Sequence, residues 1–496
     1  MAGRPQRRRR QTRHHRAMTS AQLPRRRAHV VGSGPNGLAA AIALAQAGVR
    51  VQLWEGSAVA GGALGSAELT LPGFVHDLGS AIHPLAVSSP FFQTLPLHAF
   101  GLRWVHPDVP MAHPLDGGAA LLYRSLEQTA DALGDDGPAY RRLFAPLVQS
   151  WDELMDEFLR PLLHLPAHPI LLARFGLRAL PPTTLLARLF RTRKARALLA
   201  GLAAHSALPL SSPATSAFAL MLGGAAHARG WPFPHGGAGQ LAGALEAYFK
   251  FLGGEVILNR PVTHLRELPP AEITVLDVGP PALLKLAEGR LPEHYAARLR
   301  QFRYGPGAFK VDYALSGPVP WTDPAVGRAG TVHLGGRLSE IARAEAAPHQ
   351  GRVSPQPYVL LAQHTPFDAS RAPAGQHTAW AYVHLPNASA DDALPYLEAQ
   401  IERAAPGFSA LVLKRHVSTP AMLQAWNPNL VGGDVGGGSN DLWQLLSRPV
   451  LGPEPYRTPL EGVYLCSAST PPGGGVHGMA GYWAARLALR DARQRS

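Results

Sequence analysis

One cysteine, Cys466, stands in 496 residues. That excludes an intramolecular disulfide, a C-x-x-C redox pair and a multi-cysteine zinc site. It lies in GVYLCSAS, an apolar strand pattern in which cysteine acts as a small buried residue. Long apolar runs are also missing. The best candidate, ALLAGLAAHSALPLSSPATSAFALMLGGAA, is interrupted by prolines and polar residues, so no spanning helix is expected. Acids are fewer than bases, 34 against 47, for a formal charge of +13. The excess is local: Met1 to Arg27 hold ten Arg and no acid, leaving about +3 for the rest. Lysine is scarce, five of the 47 bases, a skew of genome composition and not a phosphate-binding pattern. No basic stripe interleaved with aromatics follows residue 27, so nucleic acid is excluded as a partner. H-E-x-x-H, paired carboxylates and a Ser-His-Asp set are absent, and no metal site is expected.

Apolar residues make up 46%, enough for a sizeable core, and the length asks for two or three domains' worth of structure. Residues 1–27 are set apart as a basic tail. Three readings stay open for them: a disordered tail, an organelle transit sequence, or an upstream start with the true one at Met18. A cytoplasmic protein is expected, with organelle targeting left open.

The stretch RAHVVGSGPNGLAAAIALAQAGVRVQLWEGS reads as strand, turn, helix, strand. Gly32, Gly34 and Gly37 have the G-x-G-x-x-G spacing, with Pro35 and Asn36 opening the helix. Gly32 permits the tight turn, Gly34 lets the backbone approach a pyrophosphate, and Gly37 lets helix pack close to strand. The helix N-terminus offers unpaired N–H groups to phosphates. Glu55 ends the second strand about 20 residues on, where a carboxylate accepts hydrogen bonds from an adenosine ribose. Together these predict a dinucleotide site. The βαβ unit alone does not choose between FAD and NAD.

The next segment, GSAVAGGALGSAELTLPGFVHDLGSAIHPL, resembles flavoproteins of the phytoene-desaturase type. The resemblance implies FAD, with the doublet Gly61-Gly62 against it and Asp77 to Gly79 near the flavin ring. Ala63 stands where that family usually has Arg. PFPHGGAGQLAGALEAYFKFLGGEVILNRPVTHL is similar to the same family and implies an adenine contact at Val262. VLDVGPPALLKLAEGRLP continues as strand then helix, with Gly279 at the strand's end. The final ASTPPGGGVHGMAGYWAARLALRD resembles the element that returns to the cofactor, especially in the branch of pyridine nucleotide-disulphide oxidoreductase domain-containing proteins. By that resemblance Gly473, Gly474 and Gly475 pass beside the flavin. Val476 to Met479 turn N–H groups to its electron-rich edge, and a helix from about Gly481 to Arg490 adds its positive dipole end. His477 is the weak candidate for a catalytic residue.

The expected fold class is therefore α/β. A discontinuous Rossmann-like FAD domain is formed by residues 28–110, 232–305 and 440–496. The insertion 111–231, rich in Leu, Arg and Pro, is read as a helical cap. The insertion 306–439, with alternating runs such as YVLLAQHT and TAWAYVHL, is read as a substrate domain built on an antiparallel sheet. No second dinucleotide motif follows, so no NAD(P)H domain is expected. The lone Cys466 denies the disulphide chemistry in the branch's name. The expected activity is FAD-dependent dehydrogenation of an apolar, isoprenoid- or carotenoid-like small molecule, with hydride passing to flavin N5 and a diffusible acceptor, oxygen or quinone, taking the electrons. A flavin amine oxidase and a non-catalytic prenyl or lipid escort stay open as alternatives. The Leu- and Arg-rich stretch from 162 to 199 reads either as a cap packed on the substrate domain or as a peripheral membrane contact.

Overall fold

The computed structural model describes residues 26–495, so the tail expected at 1–27 lies almost wholly outside the described residues. Strand β1 (Arg27–Val31) turns into helix α1 (Pro35–Gln46), and β2 (Arg50–Trp54) follows. Strands β3 (Val109–Leu115) and β4 (Gly118–Leu122) precede a helical stretch that includes α2 (Pro169–Ala179) and α3 (Thr215–Ala228). Then come α4 (Gly239–Phe251), β5 (Glu255–Ile257), β6 (Ile273–Leu276) and α5 (Pro280–Leu286). Strands β7 (Gly307–Leu315), β8 (Ala329–Leu334), β9 (Val359–Ala362) and β10 (His377–Leu385) are followed by α6 (Leu394–Ala404) and β11 (Val412–Ser418). The chain closes with β12 (Val463–Leu465) and α7 (Met479–Gln494).

Five strands from three distant parts of the chain form one parallel sheet, ordered β12-β6-β1-β2-β5. The inner strands β1 and β6 (AHVV and ITVL) and the edge strand β12 (VYL) are near-continuous apolar runs, as a parallel sheet covered on both faces requires. Helix α1 is buried at every residue from Asn36 to Leu44. A helix apolar on all sides must be enclosed on all sides, and α4 and α7 complete the cover. Two glycines make that enclosure close. A Cβ on Gly37 would lie 2.0 Å from the Gly32 carbonyl oxygen, and one on Gly481 would lie 1.8 Å from that of Asn36.

The second sheet runs β11-β7-β10-β9-β8-β3-β4. It corrects two expectations. The segment 109–122 opens the region read as a helical cap, yet it is a hairpin at the sheet's edge, where Val109–Leu115 pairs with β8 on one side and with Gly118–Leu122 on the other. The sheet is also mixed, since β8 pairs parallel with β3 while its other pairings are antiparallel. A third correction falls at the tail's boundary: Arg27 is the first residue of β1, paired with Arg50, and its N–H donates to Glu272.

Strand β7 shows how this sheet meets the site. All nine of its residues are buried. Phe309, Val311 and Tyr313 point to one face and pack with Leu397 and Ile401 of α6. Ala308, Lys310 and Asp312 take the other face by the two-residue period of a strand. Of that second face, Ala308 and Lys310 line a cavity.

Gly481→Ala is expected to destabilise the protein by about 3 kcal/mol, because the added methyl must drive α7 away from α1. Urea unfolding checks it. Gly243→Ala on the exposed side of α4, where a Cβ meets nothing within 4 Å, is the control and should stabilise by about 0.5–1 kcal/mol.

Candidate active site

The carboxyl ends of β1, β2, β6 and β12 converge, and a cavity of about 1380 Å³ opens over them. Small-ligand pockets run to about 300–1,000 Å³, so this one has room for more than one molecule. It extends from the glycine turn after β1 to the inner face of the second sheet. Binding over strand carboxyl ends is the rule for open α/β sheets.

Gly32, Ser33, Gly34, Pro35 and Asn36 line one end. Gly32 has φ +91°, and its N–H donates to the Trp54 carbonyl. Gly34 caps α1, and a Cβ there would lie 2.6 Å from an Asp277 carboxylate oxygen. A Cβ on Gly62 would lie 2.9 Å from Gly34 Cα, so side chains would fill the cradle from both sides. Gly62 lines the cavity, while Gly61 sits behind it and donates its N–H to Ser33 Oγ. Glu55 lies in the wall with both carboxylate oxygens engaged: Oε2 accepts from the N–H and hydroxyl of Ser33, and Oε1 from the N–H of Ser57. Oε2 thereby uses both of its lone pairs, and Oε1 keeps one for a ribose hydroxyl. Val262 and Gly279 line the same end, and the Gly279 N–H donates to Asn429 Oδ1. These residues fit the adenosine and diphosphate part of FAD.

Gly474, Gly475, Val476 and His477 also reach the cavity wall. Each of the three glycines is already demanded by the chain itself. A Cβ on Gly473 would meet Arg448 at 2.8 Å, on Gly474 the Gly436 carbonyl at 2.7 Å, and on Gly475 Leu85 at 2.9 Å. Bare backbone toward a flat ring is therefore not the whole reason for them. Arg448 is fully buried and donates to the carbonyls of Gly438, Ser439 and Ala468, stiffening the wall from behind. Met479 corrects an expectation. It lies in the core away from the cavity, and its N–H donates to His477 Nδ1 and not outward. Burial pulls His477 down to about 4, against hydrogen bonds to Gly473 and Gly474 that raise it, so it is a neutral imidazole. Gly37 is likewise interior, and its N–H donates to Asp277 Oδ2 at 2.9 Å.

Past the glycine loops the lining becomes aromatic and aliphatic, with Trp380 and Tyr382 of β10 at 76° to each other, edge to face. Polar groups, among them Lys310, His83, His205 and Thr331, break it. Lys310 lines the cavity and pairs with Asp312 at 2.5 Å. His83 lines it fully buried, both ring nitrogens without a partner, and burial pulls it down to about 4. Behind them Asp77 accepts from Arg371, Ser66 and the Ala238 N–H. Burial pushes that carboxyl up, and Arg371 and His364 outweigh it, holding it well below the usual carboxylate range. Asp77 is thus a structural tie, and Leu78 and Gly79 are the residues that face the cavity. Lys310, His83, Asp277 and Arg448 were not singled out from the sequence. Only the Lys-x-Asp alternation inside an apolar strand was a local signal.

A family model described as NAD(P)-binding Rossmann-like domain matches residues 30–95. Putrescine oxidase bound to putrescine has the same fold, with TM-score 0.59 and 19% identity over 95% of this chain and 99% of that one. Cyclohexylamine oxidase from Brevibacterium oxydans gives 0.59 and 16% over 95% and 100%. Fold and cavity together define the class, an FAD-dependent oxidoreductase. Within that class, the chain is 24% identical to pyridine nucleotide-disulfide oxidoreductase domain-containing protein 2 of Rattus norvegicus, over 94% of this chain and 93% of the other. Over 27% of its length it is 30% identical to a limonene dehydrogenase polypeptide of Castellaniella defragrans, covering 24% of that protein.

Arg371→Met should cost about 3–5 kcal/mol at pH 7, since it leaves the Asp77 carboxylate buried and unpaired. The native pair's contribution is present above the ordinary carboxylate range and lost as pH falls. The variant's deficit should therefore shrink toward pH 4, where Asp77 takes a proton. Urea unfolding at both pH values measures it.

Proposed function

We propose that this oxidoreductase dehydrogenates a neutral, largely apolar molecule of the isoprenoid type, as a phytoene-desaturase-like enzyme does, and passes the electrons to oxygen or a quinone. One observation supports this above the others. The only acids among the described residues lining the cavity, Glu55 and Asp277, stand at its dinucleotide end. A protonated amine at the far end would meet Lys310 and no carboxylate. Bound FAD supplies the two-electron oxidising power there. The chain's part is to enclose the substrate in apolar surface, hold the Lys310 amino group in place through Asp312, and offer neutral His83 as a hydrogen-bond partner. Amine oxidation is the second reading, favoured by the fold likeness to two amine oxidases and by the Trp380–Tyr382 pair. Purified protein should be yellow. Anaerobic bleaching of its band near roughly 450 nm by isoprenoid hydrocarbons and not by mono- or diamines is expected, and the reverse pattern selects the amine reading.

The substrate's route is proposed to be a lipid surface. Helix α2 is a thin wall: Leu172, Phe175, Gly176 and Ala179 face the cavity. On the outside Ile170 and Leu177 are 68% and 78% exposed, and Leu165 is 93% exposed. Arg174, Arg178 and Arg188 are exposed among them, and no Asp or Glu occurs from residue 158 to 245. Apolar side chains ringed by unopposed cations suit an anionic bilayer. Full-length protein should sediment with phosphatidylglycerol-containing vesicles more than with phosphatidylcholine alone. I170S/L177S keeps the basic tail and should lose most of that binding, and undiminished binding rejects α2 as the contact.

A further inference from the structure

Asp277 is an acid in an unexpected place. It follows β6 directly, it is buried, and it lines the cavity beside the turn that holds a diphosphate. Its Oδ2 accepts from the Gly37 N–H at 2.9 Å, and a Cβ on Gly34 would lie 2.6 Å from the same oxygen. The carboxyl therefore occupies the mouth of the α1 N-terminus and takes up one of the N–H groups that have no partner within the helix. No cation pairs with it in the described structure. From β2 the Glu55 carboxylate faces it, from β12 the Cys466 thiol, and from the segment after β11 the neutral amide of Asn429 bonds its backbone carbonyl. Lys285 of α5 lines the same cavity without an ion pair to it.

A dinucleotide brings two negative charges to this spot. If Asp277 stays ionised, three negative charges share one desolvated corner with Glu55 nearby. We propose that Asp277 accepts a proton from solvent as FAD seats on the Gly32–Gly37 turn, so that cofactor binding is coupled to proton uptake at this residue. Neutral Asp277 keeps its carbonyl oxygen for the Gly37 N–H and gains an O–H donor that can face a phosphate oxygen. Burial pushes the free carboxyl up to about 7, with Glu55 adding to that and the Gly37 hydrogen bond opposing it. The sign follows from linkage: the bound form holds the proton more tightly, so affinity is full below about pH 7 and falls as pH rises past it. The inference rests on FAD being the ligand.

Full-length holoprotein is diluted at pH 6, 7, 8 and 9, and flavin release is followed by its fluorescence. Wild type should release more flavin with rising pH, its dissociation constant growing about tenfold per unit above pH 7. Asp277→Asn keeps an oxygen for Gly37 and carries no charge. Its dissociation constant should be flat across the range and about tenfold below wild type at pH 8. Asp277→Ala should bind more weakly than Asp277→Asn at every pH, since the Gly37 N–H is orphaned, again without a slope. Equal slopes in wild type and Asp277→Asn overturn the proton coupling while leaving FAD as the cofactor. Protein that holds no flavin at any pH overturns both.

Discussion

The whole site depends on one close contact, that of α1 with α7. The two helices come from opposite ends of the chain, and they touch at backbone distance only because Gly481 has no side chain to strike the Asn36 carbonyl. Gly37 does the same on the strand side, against Gly32. These two absences fix the axial position of α7, and with it residues 474–477 just before its first turn. The wall of the cavity is thereby set by a helix contact some distance from any ligand. Packing at this density leaves no slack of a methyl group.

A second tie joins the two sheets. Arg371 comes from the loop between β9 and β10, Asp77 from the N-terminal part, and Ala238 from the start of α4, and one carboxylate collects them all. Hydrogen bonds from three remote segments to a buried acid are individually worth little over solvation, but removing any one leaves a charge without compensation. The consequence is specificity of arrangement more than stability. Lys310 and Asp312 project from β7 toward this cluster, with His76 Nδ1 3.8 Å from Asp312, so the cavity wall at Lys310 is braced by the same network that aligns the sheets.

How much of this was legible in the sequence follows from distance along the chain. The β1–α1–β2 unit was readable because turn, helix and terminal acid all lie within 30 residues and each obeys a local rule. The parallel sheet's later strands and the closing helix were readable by resemblance. The hairpin at 109–122 was not, since its partner strand lies more than 200 residues away and its neighbours in sequence are helical. Asp277 escaped for the same reason: it caps an N–H 240 residues distant. Met479 departs from its expected role through a local competitor, the His477 ring two residues before it, which captures the N–H expected to face the cofactor. The glycine run 473–475 marks a place where side chains cannot stand. What stands against it is Arg448, Gly436 and Leu85, visible only once the chain has folded.

The charges along the cavity sort by position. Both acids stand at the end where phosphates come, which is the electrostatically costly choice unless one of them is neutral. The apolar far end contains a lysine, yet Asp312 lies beside it, so the pair presents little net field while leaving N–H donors available. In a wall this poor in polar groups the effective dielectric is low, and any uncompensated charge would be felt across the cavity. A cationic substrate would gain nothing from the compensated lysine and would lose its hydration. A neutral hydrocarbon loses no comparable hydration and gains the burial of its surface, about 25 cal/mol per Å². Under the proposed function, a preference of the far end for uncharged molecules would arise from the pairing of Lys310 with Asp312 as much as from the apolar residues around it.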